Sequence, residues 1–172
     1  MSVRLLRMAA PAVLLAGAPA AAHITLETAA APAGSYYKAV FRVGHGCKGS
    51  PTTAIRVRIP DGASGVKPQP KPGWQVATVK DEAHGEGAHA GHGGHAGAGV
   101  REVVWTGKLL DEHYDEFVIR LKLPDTPGAA LLFPVVQTCA KGEQRWVETA
   151  EPGKPAVHDR MIAPLLRLTP KP

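Results

Sequence analysis

The chain has 172 residues, a formal charge of +5 at neutral pH and 5% aromatic side chains. Its basic residues are scattered among acidic ones, and no basic tract carries interleaved aromatic residues, so nucleic acid is not an expected partner. The length suits one domain with a hydrophobic core of its own.

The N-terminal residues 1–22 have the pattern of a secretory signal peptide. Two arginines precede the apolar segment Met8–Ala18, which is too short to span a bilayer. Ala20 and Ala22 then form the A-x-A pattern of a cleavage site before His23. We therefore predict an exported, periplasmic protein that is soluble after cleavage and has no transmembrane segment. A competing cut after Ala20 would leave two alanines before His23.

Most of the remaining sequence alternates between apolar and polar residues, the pattern of half-buried strands. Nine segments are strand candidates: His23–Thr28, Tyr36–Val43, Thr53–Ile59, Trp74–Val79, Val100–Trp105, Phe117–Leu123, Ala130–Val136, Arg145–Thr149 and Leu165–Thr169. Most are bounded by Gly or Pro, and helical periodicity is almost absent. The pattern predicts an all-β fold, an antiparallel β-sandwich, in a single domain over residues 23–172.

Two segments interrupt this pattern. Pro68–Trp74 contains three prolines, so we predict a stiff loop that cannot be a central strand. Residues 83–99 are rich in Gly and His and have no large apolar side chain to bury, so we predict a flexible loop between two strands.

The two cysteines, Cys47 and Cys139, are predicted to form a disulfide bond, because an exported chain meets an oxidising compartment. The alternative is a pair of thiolate metal ligands. Isolated cysteines without a second cysteine nearby are weak evidence for a soft-metal site.

Cleavage before His23 would give this residue a special chemistry. A free N-terminal histidine offers its α-amino group and its imidazole Nδ1 as two ligands of one metal ion. Two nitrogens in a tetragonal arrangement suit Cu(II), the pattern called a histidine brace. The alternative is that His23 is merely the residue at which the mature chain starts.

Four further histidines lie in the Gly-rich loop: His84, His89, His92 and His95. Neutral imidazoles on a soft backbone can gather around Cu, Ni or Zn. We interpret them as accessory metal ligands that capture and deliver the ion, because ordering the loop around one tight site would be costly. The alternative is a solvated, low-complexity insertion.

Other ligands for His23 are less clear from the sequence. Glu27 lies on the same strand face but about 13 Å away unless the strand bends. Glu148 shares a strand face with Trp146, whose ring could shield a metal or could equally be a core aromatic. His45 is a further candidate ligand or a turn residue beside the disulfide. We interpret the last two histidines, His113 and His158, as surface residues.

The chain resembles the YcnI-like family of exported bacterial copper-binding proteins. The matching pieces, in order, are His23–Glu27, Ala33–Tyr36, Lys71–Trp74, Trp105–Gly107, Asp115–Phe117, Phe133–Gln137 and Trp146. The resemblance implies a sandwich of cupredoxin or immunoglobulin type, and a Cu(II) site built on the N-terminal histidine, a carboxylate and a tryptophan. His23 and Trp146 carry over directly.

The carboxylate does not carry over, because some relatives have a glutamate where this chain has Tyr37. The substitutes are Glu148, Glu27 and His45. The partners implied are the copper ion itself and either another periplasmic copper chaperone or a membrane copper transporter. We therefore predict a non-enzymatic protein of copper homeostasis or delivery.

Two other functions remain open from the sequence. Histidine braces also serve copper monooxygenases, which would need a second histidine such as His45, His113 or His158. The chain could also be an assembly module of the cell envelope with incidental metal affinity.

Overall fold

The computed structural model describes residues 23–80, 99–149 and 161–172. This part of the chain contains twelve strands and no helix, and therefore no helix that could cross a bilayer. The strands are β1 (Thr25–Leu26), β2 (Ala30–Pro32), β3 (Tyr36–Val43), β4 (Thr52–Arg58), β5 (Ser64–Pro68), β6 (Gln75–Lys80), β7 (Val100–Leu109), β8 (Asp115–Lys122), β9 (Ala130–Leu132), β10 (Val135–Cys139), β11 (Glu143–Trp146) and β12 (Leu165–Thr169).

The strands form two antiparallel sheets, with the orders β1-β3-β8-β5 and β11-β10-β4-β7-β6. A smaller sheet has the order β2-β12-β9. The all-β prediction is confirmed, with one departure from an antiparallel arrangement among the named strands. The C-terminal strand β12 runs parallel to β2, with Arg167 opposite Ala30.

Two of the predicted strands, Tyr36–Val43 and Leu165–Thr169, have the predicted bounds. The predicted strand Ala130–Val136 is wrong, because the chain forms two strands, β9 and β10, on either side of Pro134. Proline has no N–H to donate to a ladder, so it interrupts the pairing. The N-terminal strand is also shorter than predicted, because the chain bends at Glu27.

The strand β5 was missed by the sequence pattern, and its last residue, Pro68, starts the segment predicted as a loop. β5 is an edge strand, where a proline costs no ladder hydrogen bond. The rest of the segment contains a turn closed by a bridge between Lys71 and Trp74. The indole of Trp74 packs over Gly107, where an added Cβ would lie 2.4 Å from the ring.

Aromatic contacts fix how the two sheets face each other. Trp105 of β7 packs edge-on against Phe117 of β8, with ring centroids 5.5 Å apart. Phe41 of β3 packs in the same way against Phe133, just before β10, at 5.6 Å. β8 therefore lies over β7, and β3 lies over β10. It follows that the edge strands β1 and β11 lie on the same side of the sandwich.

The predicted disulfide bond between Cys47 and Cys139 is present. It joins the loop after β3 to the end of β10, and the two cysteines are 92 residues apart in the sequence. Both cysteines are buried. The bond ties the two sheets together near the end of β3.

Candidate metal site

His23 is held by its neighbours at the edge of the four-stranded sheet. It is partly buried, and the next residue, Ile24, is 3% exposed in the core. β1 pairs with β3 so that Thr25 lies opposite Arg42. His23 lies two residues before the first paired residue of β1. The residues that follow His23 are therefore ordered by burial and by strand pairing.

Trp146 ends β11, the edge strand of the other sheet. It is 1% exposed and belongs to the same buried cluster as Ile24. It lies opposite Val135 in the β10–β11 ladder. In the structure Trp146 is thus a core side chain on the side of the sandwich where β1 lies. Its part in shielding a metal stays a prediction.

Glu148 follows Trp146 and is held by a segment that also reaches the N-terminal side. Its N–H donates to the carbonyl of Met161 at 3.0 Å, and its carbonyl accepts from the N–H of Ala163 at 2.9 Å. Its Oε1 also accepts from the N–H of Met161, at 3.4 Å. This segment continues into β12, which pairs with β2, the next strand after β1. Glu148 therefore lies along the same side of the sandwich as β1.

Glu27 is directed to another partner. The chain bends at this residue, yet its Oε1 accepts from a guanidinium nitrogen of Arg42 at 3.1 Å. Arg42 also lies 3.9 Å from Oε1 of Glu116 on β8. Glu27 is therefore part of an exposed ion-pair group on the outer face of the sheet.

His45 lies two residues after the end of β3, the strand that pairs with β1. Its Nδ1 is 2.5 Å from the carbonyl of Gly46, and its own carbonyl accepts from Nε2 of Gln137 at 2.8 Å. The chain approaches itself so closely here that an added Cβ at Gly46 would lie 1.9 Å from the carbonyl oxygen of Ser50. The loop that carries His45 is consequently well fixed. We call the side of the sandwich that contains His23, β1 and the end of β11 the N-terminal edge.

These side chains do not form a complete cage. In the described ranges no three His, Cys, Asp or Glu residues are close enough together to hold a metal ion. A histidine brace needs fewer residues, because a free terminal histidine supplies two of the ligands. His84, His89, His92, His95 and His158 lie outside the described residues. His113 is exposed, as predicted, with Nε2 at 3.8 Å from Oε1 of Glu112.

Tyr37 occupies the position at which, according to the resemblance, some YcnI-like proteins carry a glutamate. Its side chain is 6% exposed, and its hydroxyl donates to the carbonyl of Thr28 at 2.5 Å. Burial, followed by the negative charge of Glu27, raises the pKa of Tyr37 to about 12. The phenol therefore stays protonated at neutral pH and cannot replace the missing carboxylate.

The sequence analysis missed two residues that shape this region. Gln137 is 1% exposed and also donates to Oγ1 of Thr52 at 2.6 Å, so it fixes the His45 loop from inside the core. The signal was a polar residue at an inward position of an alternating strand. Met161 packs partly buried against the core beside Glu148, and no pattern marked it.

Comparison with solved structures supports the fold. An uncharacterized protein from Nocardia farcinica, described as having an immunoglobulin-like fold, superposes with a TM-score of 0.65 at 21% identity. The match covers 86% of this chain and 98% of that chain. A putative membrane anchored protein from Corynebacterium diphtheriae gives a TM-score of 0.37 at 12% identity, over 83% of this chain and 37% of that chain. No curated protein matches.

The likeness to the Nocardia farcinica protein confirms an immunoglobulin-like sandwich. A family model described as "Domain of unknown function (DUF1775)" matches residues 23–168, and its match starts at His23. The matched region contains both main sheets and the third sheet almost completely. The chain therefore belongs to the DUF1775 family.

Proposed function

We propose that this chain is an exported copper-binding protein of the YcnI-like type, which holds Cu(II) through a free N-terminal His23 and serves copper homeostasis or delivery. The observation that carries the proposal is the ordered chain directly after His23. The burial of Ile24 and the β1–β3 pairing hold the following residues in place, and the family match starts at His23.

The chemistry follows from that position. Once the bond before His23 is cut, its α-amino group has a pKa near 8, so a metal can displace the proton at neutral pH. Imidazole Nδ1 and the amino nitrogen belong to one residue, and nitrogen ligands in a tetragonal arrangement suit Cu(II). Because the following residues are already ordered, copper binding requires little further loss of backbone freedom.

Additional ligands are available on the same side of the sandwich. Glu148 offers a carboxylate and Met161, hydrogen-bonded to it, offers a thioether that would suit Cu(I). His45 lies near the end of β3 that faces His23. Glu27 is the weakest substitute, because Arg42 already binds its carboxylate. The loop histidines would add an exchangeable collecting site.

The first experiment is the intact mass of the exported protein, followed by titration with Cu(II). A variant with one alanine inserted before His23 is titrated in parallel, together with a His113→Ala variant as the control. We expect a mass that starts at His23 and tight one-to-one binding, which the inserted alanine abolishes and His113→Ala leaves unchanged. Equal binding by all three proteins, or a mass that starts at Ala21, would overturn the proposal.

A variant with all four loop histidines changed to alanine tests the accessory role separately. We expect this variant to lose the weakly bound copper ions and to keep the one tightly bound copper ion. Loss of the tight equivalent would move the main site to the loop.

A further inference from the structure

Three cations lie directly opposite one another on the outer face of the four-stranded sheet. Lys38 of β3 pairs with Arg120 of β8, and Lys67 of β5 pairs with the same Arg120. Neighbouring strands are about 4.8 Å apart, so the row spans about 10 Å. Lys122 lies two residues along β8 from Arg120 and therefore on the same face. We call Lys38, Lys67, Arg120 and Lys122 the cationic face.

The cationic face has no acidic partner in the described part of the chain. The acidic residues of this sheet surface, Glu27 and Glu116, are at its other end, where Arg42 lies close to both. Glu116 is four residues from Arg120, about 13 Å along the strand. Near the cationic end, Asp125 is paired with Lys171 instead. All four cations are exposed to solvent.

An aromatic side chain completes this surface. Tyr36, opposite Lys122, is 61% exposed, the largest value among the exposed large hydrophobic residues described. The guanidinium carbon of Arg120 lies 3.9 Å from the centre of its ring. The contact holds the guanidinium against the ring and leaves the hydroxyl end of Tyr36 in water. An amphipathic aromatic ring among cations is typical of residues at the lipid headgroup level.

The opposition of these cations does not stabilise the folded chain. Like charges directly opposite one another in a sheet are destabilising. The repulsion is relieved when an external anion covers the row. A single small anion would reach one or two of these cations, whereas an array of anionic groups matches a row across three strands.

We infer that the cationic face is a docking surface for an anionic phospholipid bilayer. The open face of the sheet, its unpaired cations and the exposed tyrosine together fit an anionic headgroup layer. Because Arg42, the residue of β3 opposite Thr25, is four residues from Lys38, docking would leave this part of β1 about 13 Å along the strands from the contact. The inference does not depend on copper binding.

The test uses the purified protein in a flotation assay with two kinds of vesicle, phosphatidylcholine alone and phosphatidylcholine mixed with phosphatidylglycerol. A variant with Lys38→Gln, Lys67→Gln and Lys122→Gln is compared with a control in which Arg58, Lys80 and Lys108 are changed to Gln. The control removes the same charge from the other main sheet. Intact mass ensures that all three proteins start at the same residue, so that no apolar leader contributes.

We expect salt-sensitive binding to the phosphatidylglycerol vesicles and none to phosphatidylcholine alone. Each cation near an anionic surface contributes about 5-fold to partitioning, so the triple variant should lose on the order of 100-fold. The control should keep its binding. Equal loss in both variants, or equal binding to both kinds of vesicle, would overturn the inference. Binding to soluble polyphosphate but not to vesicles would also overturn it, in favour of a polyanion.

Discussion

The N-terminal edge and the cationic face are held in opposite ways. At the N-terminal edge, Ile24 and Trp146 are buried, and the backbone groups of Glu27 and Glu148 are hydrogen-bonded to neighbouring segments. On the cationic face, the charged side chains are exposed to water, and Arg120 packs on the exposed ring of Tyr36. The first region is therefore suited to an ion that needs fixed ligands. The second is suited to a broad, adaptable surface that needs only matched charge.

Adjacent tyrosines on β3 illustrate this difference. Tyr37 points into the core and donates to the carbonyl of Thr28, whereas Tyr36 points outward beneath Arg120. Alternate residues of a strand face opposite sides, so one strand serves both regions. Substitutions in the two regions should consequently affect stability very differently.

The largest expected effect comes from Trp146→Ala at the N-terminal edge. Because the indole is 1% exposed, its removal should lower the free energy of unfolding by about 3–5 kcal/mol. Tyr36→Ala on the cationic face should change it by no more than about 1 kcal/mol. Urea denaturation measures both. A similar loss in the two variants would remove the distinction between a buried edge and a solvated face.

Removal of the disulfide bond should have the next largest effect. Changing Cys47 and Cys139 together to serine should lower the free energy of unfolding by about 2–4 kcal/mol, because the unfolded chain regains freedom. The loop that carries His45 lies beside the bond, while the cationic face does not. Vesicle binding of the folded variant should therefore be unchanged in the flotation assay. Reduced binding at a temperature where the variant is folded would contradict this separation.

Alkaline pH should weaken the fold through Tyr37. Its pKa is about 12 in the folded chain, whereas an unfolded tyrosine titrates near 10. Between these values the unfolded chain has lost a proton that the folded chain keeps, so the free energy of unfolding falls as the pH rises. The contribution is complete below pH 10 and is lost as the pH passes 12, a loss on the order of 2 kcal/mol.

Urea denaturation at several alkaline pH values tests this expectation. The Tyr37→Phe variant should show a flatter decline than the unchanged protein. Tyr114→Phe is the control. Burial and the hydrogen bond to Glu116 raise the pKa of Tyr114 to about 12 as well, but Tyr114 is 56% exposed, so solvent screening should leave a much smaller effect on stability. A decline of equal slope in the unchanged protein and Tyr37→Phe would show that other groups cause it.

The smallest expected effect is a gain. Lys38→Gln removes one of three opposed cations and should raise the free energy of unfolding by about 0.2–1 kcal/mol. On the same strand, Arg42→Gln should lower it by up to about 1 kcal/mol, because Arg42 is paired with Glu27. Thermal unfolding at low salt distinguishes the expected gain in stability of Lys38→Gln from the expected loss of Arg42→Gln. A loss of stability in both variants would mean that Lys38 has a favourable partner in solution.

The strand pattern of the sequence predicted much of the fold. The bounds of β3 and β12 follow from alternation, because each strand buries one face and leaves most of the other at least partly exposed. The disulfide followed from the cysteine count and the expected compartment. The pattern failed where a strand has weak alternation, as in β5, and where Pro134 divides an apolar run.

The candidate site was only partly predictable. His23 was singled out because its position after an A-x-A pattern has a chemical meaning before any folding, and its role stays a prediction. The pairing of Glu27 with Arg42 was not foreseen, since the register between β1 and β3 decides that contact. Gln137 and Met161 gave no comparable signal, because their roles depend on segments distant in the chain.

The sequence by itself determined the all-β class and the pairing of the two cysteines, because each of these depends on local pattern or on composition. The tertiary structure alone decided which side chains meet. Lys38, Lys67 and Arg120 are far apart in the sequence and become neighbours only through the register of three strands. Glu148 reaches the N-terminal side only because residues 161–163 run parallel to it before entering β12. Such contacts depend on strand order and register, which alternation along one strand does not specify.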